Sequence, residues 1–260
     1  MRLCFFWGFK DMARLQGKYA LITGGTGGIG LETARQFLAE GATVAITGRS
    51  EAALSAAGRE LGDRALLLQS DAGDIAGQRA LAQQLARHWP RLDVLYANAG
   101  DVTHRPLQDW DEAAYDQLMG VNLKGPFFLL QALLPLLANP ASVILCGSVS
   151  AHIGLPQSSA YAASKAGLLS LARTLSGELW ERGIRVNGLS PGPTETAALG
   201  KLGLPPEEEA ALRDQIRKLV PIGRLGTPLE LAKAAVFLAS DESSYVVGTE
   251  LQVDGGVGNL

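Results

Sequence analysis

Cysteine and histidine are scarce in this chain: two and three of 260 residues. Cys4 lies in an odd leading stretch and Cys146 in a short apolar run, so no disulfide is expected. That usage fits a reducing compartment, and we expect the cytoplasm. His88, His104 and His152 lack the spacing of metal ligands, so no metal is expected. Neither sign of charge dominates: 23 Lys and Arg against 26 Asp and Glu leave a net charge of −3. The charges form no basic patch, which argues against a nucleic-acid partner. No apolar run approaches the roughly 18 residues that a membrane span requires, so no membrane partner is expected. What is abundant is apolar residues, 47% of the chain, distributed in short runs. That is enough for one large core.

The leading stretch, MRLCFFWGFKD, stands apart from the rest. Its apolar part is brief and no small-residue cleavage site follows, so it does not read as a signal peptide. Residues 1–11 are expected to be a disordered extension of a single domain covering 12–260.

From Lys18 onward, short apolar runs alternate with amphipathic stretches. Strands are expected at Tyr19–Thr23, Thr43–Thr47, Ala65–Gln69, Leu92–Tyr96, Ser142–Cys146, Ile184–Gly188 and Thr249–Val253. Helices are expected at about 51–61, 75–88, 111–137 (bent near Pro126), 157–182 and 229–240, with another after the glycine turn from Leu31. Strand and helix alternate without a linker, and the strands read as apolar on both faces. That pattern argues for an α/β fold, a doubly wound parallel sheet of about seven strands with helices on both faces. The Gly-, Pro- and Glu-rich stretch from about 193 to 221 is long for a loop. It is expected to act as a lid over a substrate, with a short helix near Glu207–Leu219.

Between the first strand and its helix runs Gly24-Gly-Thr-Gly-Gly-Ile-Gly30. Glycines permit a tight turn and let a phosphate approach the backbone. The helix start near Gly28 offers free N–H groups and the positive end of its dipole. With a strand before and a helix after, this is a dinucleotide-binding turn. The end of the second strand selects among dinucleotides. A carboxylate there would hold the ribose 2′-hydroxyl of NAD. The chain instead reads Thr47-Gly-Arg-Ser50, and Arg49 can meet a 2′-phosphate with paired donors. NADPH is therefore the expected cofactor, with NAD as the alternative.

A second constellation lies in GSVSAHIGLPQSSAYAASK, residues 147–165. Tyr161 and Lys165 are four apart on a helix and share one face. The end of the fifth strand can bring Ser148 to them. A free phenol, with a pKa of about 10, is a poor acid–base catalyst near neutrality, and a neighbouring ammonium favours the phenolate. The serine hydroxyl can hold a substrate oxygen beside the phenol. Together the three could move a proton on or off a carbonyl or carbinol oxygen.

These motifs resemble the short-chain dehydrogenase/reductase family, classical type, over nearly all of Gly17–Gly256. The likeness is carried by the glycine pattern, Asn98-Ala99-Gly100, Asn122, Ser148, Tyr161-x-x-x-Lys165 and Pro191-Gly192, in the family's order and spacing. The resemblance implies that Tyr161 is the general acid/base and that Ser148 polarises the substrate oxygen. Lys165 would hold the nicotinamide ribose and favour the phenolate, and Asn122 would hold a water in a proton relay. It assigns Asp71 to adenine, Asn98 to supporting the sheet and cofactor, and Ile29 and 186–191 to the nicotinamide pocket. Thr194 and Thr196 would touch the carboxamide or diphosphate. The cofactor set is completed by Gly24, Thr26, Gly28, Gly30, Ala99, Gly100, Pro191 and Gly192.

The substrate pocket is expected between His152–Leu155, Pro193 and the lid, lined by Ile153, Leu155, Leu199, Leu202 and Leu204. His152 either donates to a polar substrate group or is a surface-loop residue. Leu129–Ser142 carries no Lys or Arg, which weakens a carrier-protein substrate. The expected reaction is NADPH-dependent interconversion of a carbonyl and an alcohol on a small or medium apolar molecule. Alternatives are an NAD-dependent alcohol dehydrogenase, a 3-oxoacyl-thioester reductase, or a catalytically silent dinucleotide-binding protein. Leu168, Leu169, Leu171, Ala172 and Leu175 exceed what one buried face needs, and a homotetramer is expected by resemblance.

Overall fold

In the computed structural model, residues 13–196 and 205–259 are described. Residues 1–11, together with the pocket leucines Leu199, Leu202 and Leu204, lie outside them. The strands are β1 (Tyr19–Ile22), β2 (Thr43–Gly48), β3 (Ala65–Gln69), β4 (Leu92–Ala97), β5 (Leu137–Cys146), β6 (Ile184–Pro191) and β7 (Glu250–Val253). They form one parallel sheet in the order β3-β2-β1-β4-β5-β6-β7. The order reverses between β1 and β4. In such sheets ligands bind beyond the carboxyl ends of the strands at that reversal.

The helices are α1 (Gly28–Ala39), α2 (Glu51–Leu61), α3 (Ile75–His88), α4 (Glu112–Met119), α5 (Gly125–Leu133), α6 (Ser159–Leu179), α7 (Pro206–Leu219) and α8 (Pro228–Ala239). Alternation along each strand divides the core in two. Ala20 and Ile22, Val44 and Ile46, and Ile144 and Cys146 face the layer of α1, α2 and α8. Leu21, Ala45, Val143 and Leu145 face the layer of α3, α5 and α6. Both sheet faces are covered, so the strands lack a polar alternation.

Three sequence expectations are corrected. The helix expected over 111–137 is two helices joined by a π turn, Gly120–Lys124. The break falls at Asn122 rather than Pro126. Pro126 sits in the first turn of α5, where its missing N–H costs little. Gly125 has no room for a side chain, because a Cβ there would lie 2.0 Å from the Ala72 carbonyl oxygen. Second, β5 begins five residues before Ser142, at Leu137, and runs through Pro140. Third, the α6 leucines are not surplus surface. Leu168, Leu169, Ala172 and Leu175 are buried in the protomer's own core, and Leu171 packs against it.

Candidate active site

The glycine turn is held open by its neighbours. Gly24 and Gly28 take positive φ, +64° and +52°. A Cβ on Gly30 would lie 2.3 Å from the Gly24 carbonyl oxygen and 2.6 Å from Asn98 Nδ2. Asn98 explains the crowding: its Nδ2 donates to the carbonyls of Thr23 (3.0 Å) and Gly24 (3.2 Å). The amides of Asn98 and Ala99 both donate to Thr23 Oγ1 at 3.0 Å. The ends of β1 and β4 are thus stitched together beneath the turn. Gly27 caps α1 without a side-chain acceptor, and the first turn of the helix carries no acid. Its leading N–H groups stay available to an anion. Turn and helix start therefore fit a dinucleotide's diphosphate.

The cleft divides into two ends that share Gly24, Thr26, Asn98, Gly100 and Val102. The first, about 800 Å³, adds Arg49, Ser70, Asp71 and Val121. Arg49 is exposed there, and no carboxylate of the described residues pairs with it. Asp71 both lines this end and closes a turn, its Oδ1 accepting from the Gly73 amide at 2.9 Å. The second end brings together Ile29, Ser148, Tyr161, Lys165, Pro191, Gly192, Thr194 and Thr196. Gly192 lies so close to the last strand that a Cβ would stand 2.5 Å from Asp254 Cα.

Ser148 leaves β5 in extended conformation, buried, with its Oγ accepting from the Ser150 amide at 3.2 Å. Tyr161 and Lys165 enter from α6, one turn apart. Lys165 is only 3% exposed and has no carboxylate partner among the described residues. Its Nζ donates to the Cys146 carbonyl at 2.7 Å and lies 5.7 Å from the centre of the Tyr161 ring. The buried amine therefore stands beside the phenol, inside the same cleft.

Asn122 is fully buried at the π turn. Its Oδ1 accepts from the Asp101 amide (2.7 Å), and its Nδ2 donates to the Asp101 carbonyl (2.9 Å) and Ser164 Oγ (3.1 Å). The amide nitrogen is fully used, and one Oδ1 lone pair is left for a water. Asn122 and Lys165 converge behind Gly100, where a Cβ would lie 3.5 Å from both Asn122 Oδ1 and Lys165 Nζ.

Two histidines take partners that their local sequence does not show. His152, read either as a substrate donor or as a surface-loop residue, is exposed in the loop after β5, its Nε2 lying 2.8 and 2.9 Å from the carboxylate oxygens of Glu250 of β7. His104, for which the sequence offered no metal spacing, packs on Tyr161, its ring centre 5.1 Å from that of the tyrosine. Its place four residues past Gly100, in the loop after β4, was the available signal. Of the expected pocket wall, Ile153 packs on Val149, Val220 and Val257, while Leu155 is exposed.

A family model described as enoyl-(acyl carrier protein) reductase matches residues 24–258. The chain is 37% identical to the 3-oxoacyl-[acyl-carrier-protein] reductase FabG of Thermotoga maritima, over 94% of this chain and 99% of that protein. It is 38% identical to a galactitol 2-dehydrogenase (L-tagatose-forming) of Cereibacter sphaeroides, over 95% of this chain and 98% of the relative. A solved short-chain dehydrogenase/reductase of Serratia marcescens superposes with a TM-score of 0.87 at 30% identity, covering 94% of this chain and 99% of that one.

Proposed function

The chain belongs to the short-chain dehydrogenase/reductase family, and from that membership we propose how its residues divide the work of an NAD(P)-dependent carbonyl–alcohol oxidoreductase. One observation carries the reading. Ser148, Tyr161 and Lys165 line the same cleft as the glycine turn.

When bound, the nicotinamide supplies or accepts the hydride. Everything else falls to side chains. Gly24, Gly28 and Gly30 admit the diphosphate to the start of α1. Ile29, Pro191, Gly192, Thr194 and Thr196 wall the nicotinamide end, and Asp71 with Ala99 and Gly100 borders the adenosine. Ser148 binds the substrate oxygen. Tyr161 gives that oxygen a proton during reduction and takes it back during oxidation. Lys165 holds the ribose hydroxyls and stabilises the phenolate electrostatically. Asn122 fixes the loop at Asp101 and presents its spare lone pair to a water on the path that returns the proton to solvent.

For the cofactor, Arg49 at the 2′ position supports NADPH over NAD, because its guanidinium is exposed and unpaired among the described residues. The protein is proposed to be a single domain, 12–260, working in the cytoplasm as a homotetramer. No helix among the described residues is long and apolar enough to cross a membrane. Trp180 and Tyr245 are large apolar side chains left on the surface, which supports association. The segment at about 193–221 is proposed as the substrate lid, with α7 as its helical part.

The relatives' names point to a carrier-protein thioester in one case and a polyol in the other. Because Leu129–Ser142 contains no Lys or Arg, we favour a small, uncharged carbonyl or alcohol. The test is a panel of ketones and alcohols assayed with NADPH and NADH. Turnover of free carbonyls, faster with NADPH, is expected. Cofactor binding without any turnover across the panel would count against this reading and revive that of a silent dinucleotide-binding protein.

A further inference from the structure

His104 touches the catalytic tyrosine, yet nothing in the proton transfer requires it. Its ring packs at 55° against Tyr161, with ring centres 5.1 Å apart. Its Nδ1 lies 2.8 Å from Ser158 Oγ. Ser158 is 1% exposed, and its hydroxyl has no other partner among the described residues. If Nδ1 carried the proton, the serine hydroxyl hydrogen would be buried and unbonded, which is costly. The serine therefore donates to Nδ1, and the ring proton resides on Nε2. Burial of the packed face lowers the pKa of the imidazole, which favours the neutral ring. Nε2 bonds to none of the described residues, and His104 lines the first end of the cleft near Val102, which also lines the end that holds Tyr161.

The site thus holds a fixed, neutral N–H donor where the two ends of the cleft meet, its ring packed on the residue that handles the reacting oxygen. Donors carried on two packed rings, with centres 5.1 Å apart, suit two oxygens that are close together on a substrate. Adjacent carbons provide that spacing. We infer that His104 is a specificity-determining residue whose Nε2–H binds a hydroxyl on the carbon next to the reacting one. The preferred substrates are then vicinal diols and α-hydroxy ketones rather than simple alcohols and ketones. The inference rests on the carbonyl–alcohol reading above and narrows its substrate class.

The test compares kcat/KM for cyclohexanone, its derivative with a hydroxyl on the adjacent carbon, and the derivative with the hydroxyl across the ring. Wild type, His104→Phe, His104→Leu and His104→Gln are assayed in parallel. The wild-type protein is expected to favour the adjacent hydroxyl by about 3–10-fold over cyclohexanone, the worth of one neutral hydrogen bond. The Phe and Leu variants should lose that ratio. His104→Gln, which keeps an amide donor near the Nε2 position, should retain much of it. Because the ratio is internal to each variant, a general loss of rate does not obscure it. An unchanged ratio in the Phe and Leu variants overturns the inference. So does an equal gain from the hydroxyl across the ring, or a loss in His104→Gln as complete as in His104→Phe. Turnover of all three ketones without preference sinks the inference alone. No turnover of any, with either cofactor, sinks the reading beneath it as well.

Discussion

Replacing Arg49 with alanine should separate the two nicotinamide cofactors. The guanidinium stands at the end of β2, exposed, beside Ser70 and Asp71. Its backbone carbonyl is fixed by Gln69 Nε2 at 2.9 Å, so removing the side chain leaves the turn in place. A charge-assisted hydrogen bond contributes about 1.5–3 kcal/mol when shielded from water, and exposed pairs contribute about 1 kcal/mol or less. An exposed guanidinium meeting a doubly charged phosphate through two N–H groups falls between, at about 1–2 kcal/mol, or about 5–30-fold in Kd. Arg49→Ala should therefore weaken NADPH by that factor and leave NADH within about twofold, since NADH offers no phosphate there. The NADPH difference should shrink as salt rises, because the contact is solvent-exposed. Fluorescence titration of both cofactors at two ionic strengths reads all of this. An equal loss for both cofactors, or no loss for NADPH, would refute the assignment.

Other substitutions probe the frame of the site. Gly30→Ala places a methyl 2.3 Å from the Gly24 carbonyl oxygen, whereas Gly27→Ala meets nothing within 4 Å. The first should lower the thermal midpoint, at a cost of about 1–3 kcal/mol, and weaken cofactor binding, while the second should leave stability near wild type. Asn122→Ala removes three hydrogen bonds that anchor Asp101 and Ser164. It should destabilise the protein by about 1–3 kcal/mol, read in urea denaturation. Glu230 caps α8, and bonds from Arg224 and from Thr227 lower its pKa from 4.5 to about 2. A depressed carboxylate stabilises the fold fully above its unfolded value and loses that contribution as pH falls through the folded one. Glu230→Gln should thus be less stable than wild type near neutrality, with the gap closing between pH 4.5 and pH 2. A gap independent of pH in thermal melts would contradict the capping role.

What could be read in advance followed from short-range pattern. The limits of α2 and α3 match their expected ranges, because Ser50 and Asp74 cap them where the apolar period begins. Ser148, Tyr161 and Lys165 are brought onto one cleft, because strand–turn–helix order and the four-residue helical spacing are local facts. The misses were set by contacts distant in sequence. The π turn at Asn122 answers to Asp101 and Ser164, and Gly125 to the Ala72 carbonyl. The partners of two loop histidines were equally out of reach of local pattern: Glu250 lies 98 residues from His152, and Ser158 54 residues from His104. The α6 leucines looked like surplus because the sheet face that absorbs them cannot be seen along the helix itself.

The central claim is that Tyr161 carries the proton. Tyr161→Phe keeps the ring that packs on His104, Leu118 and Ala160 and removes only the hydroxyl. Single-turnover rates with a ketone that wild type reduces, alongside a cofactor titration, give the direct reading. Chemistry slower by about 10²–10⁴ with cofactor affinity intact is the predicted result. Near-normal rates in that variant would contradict the account.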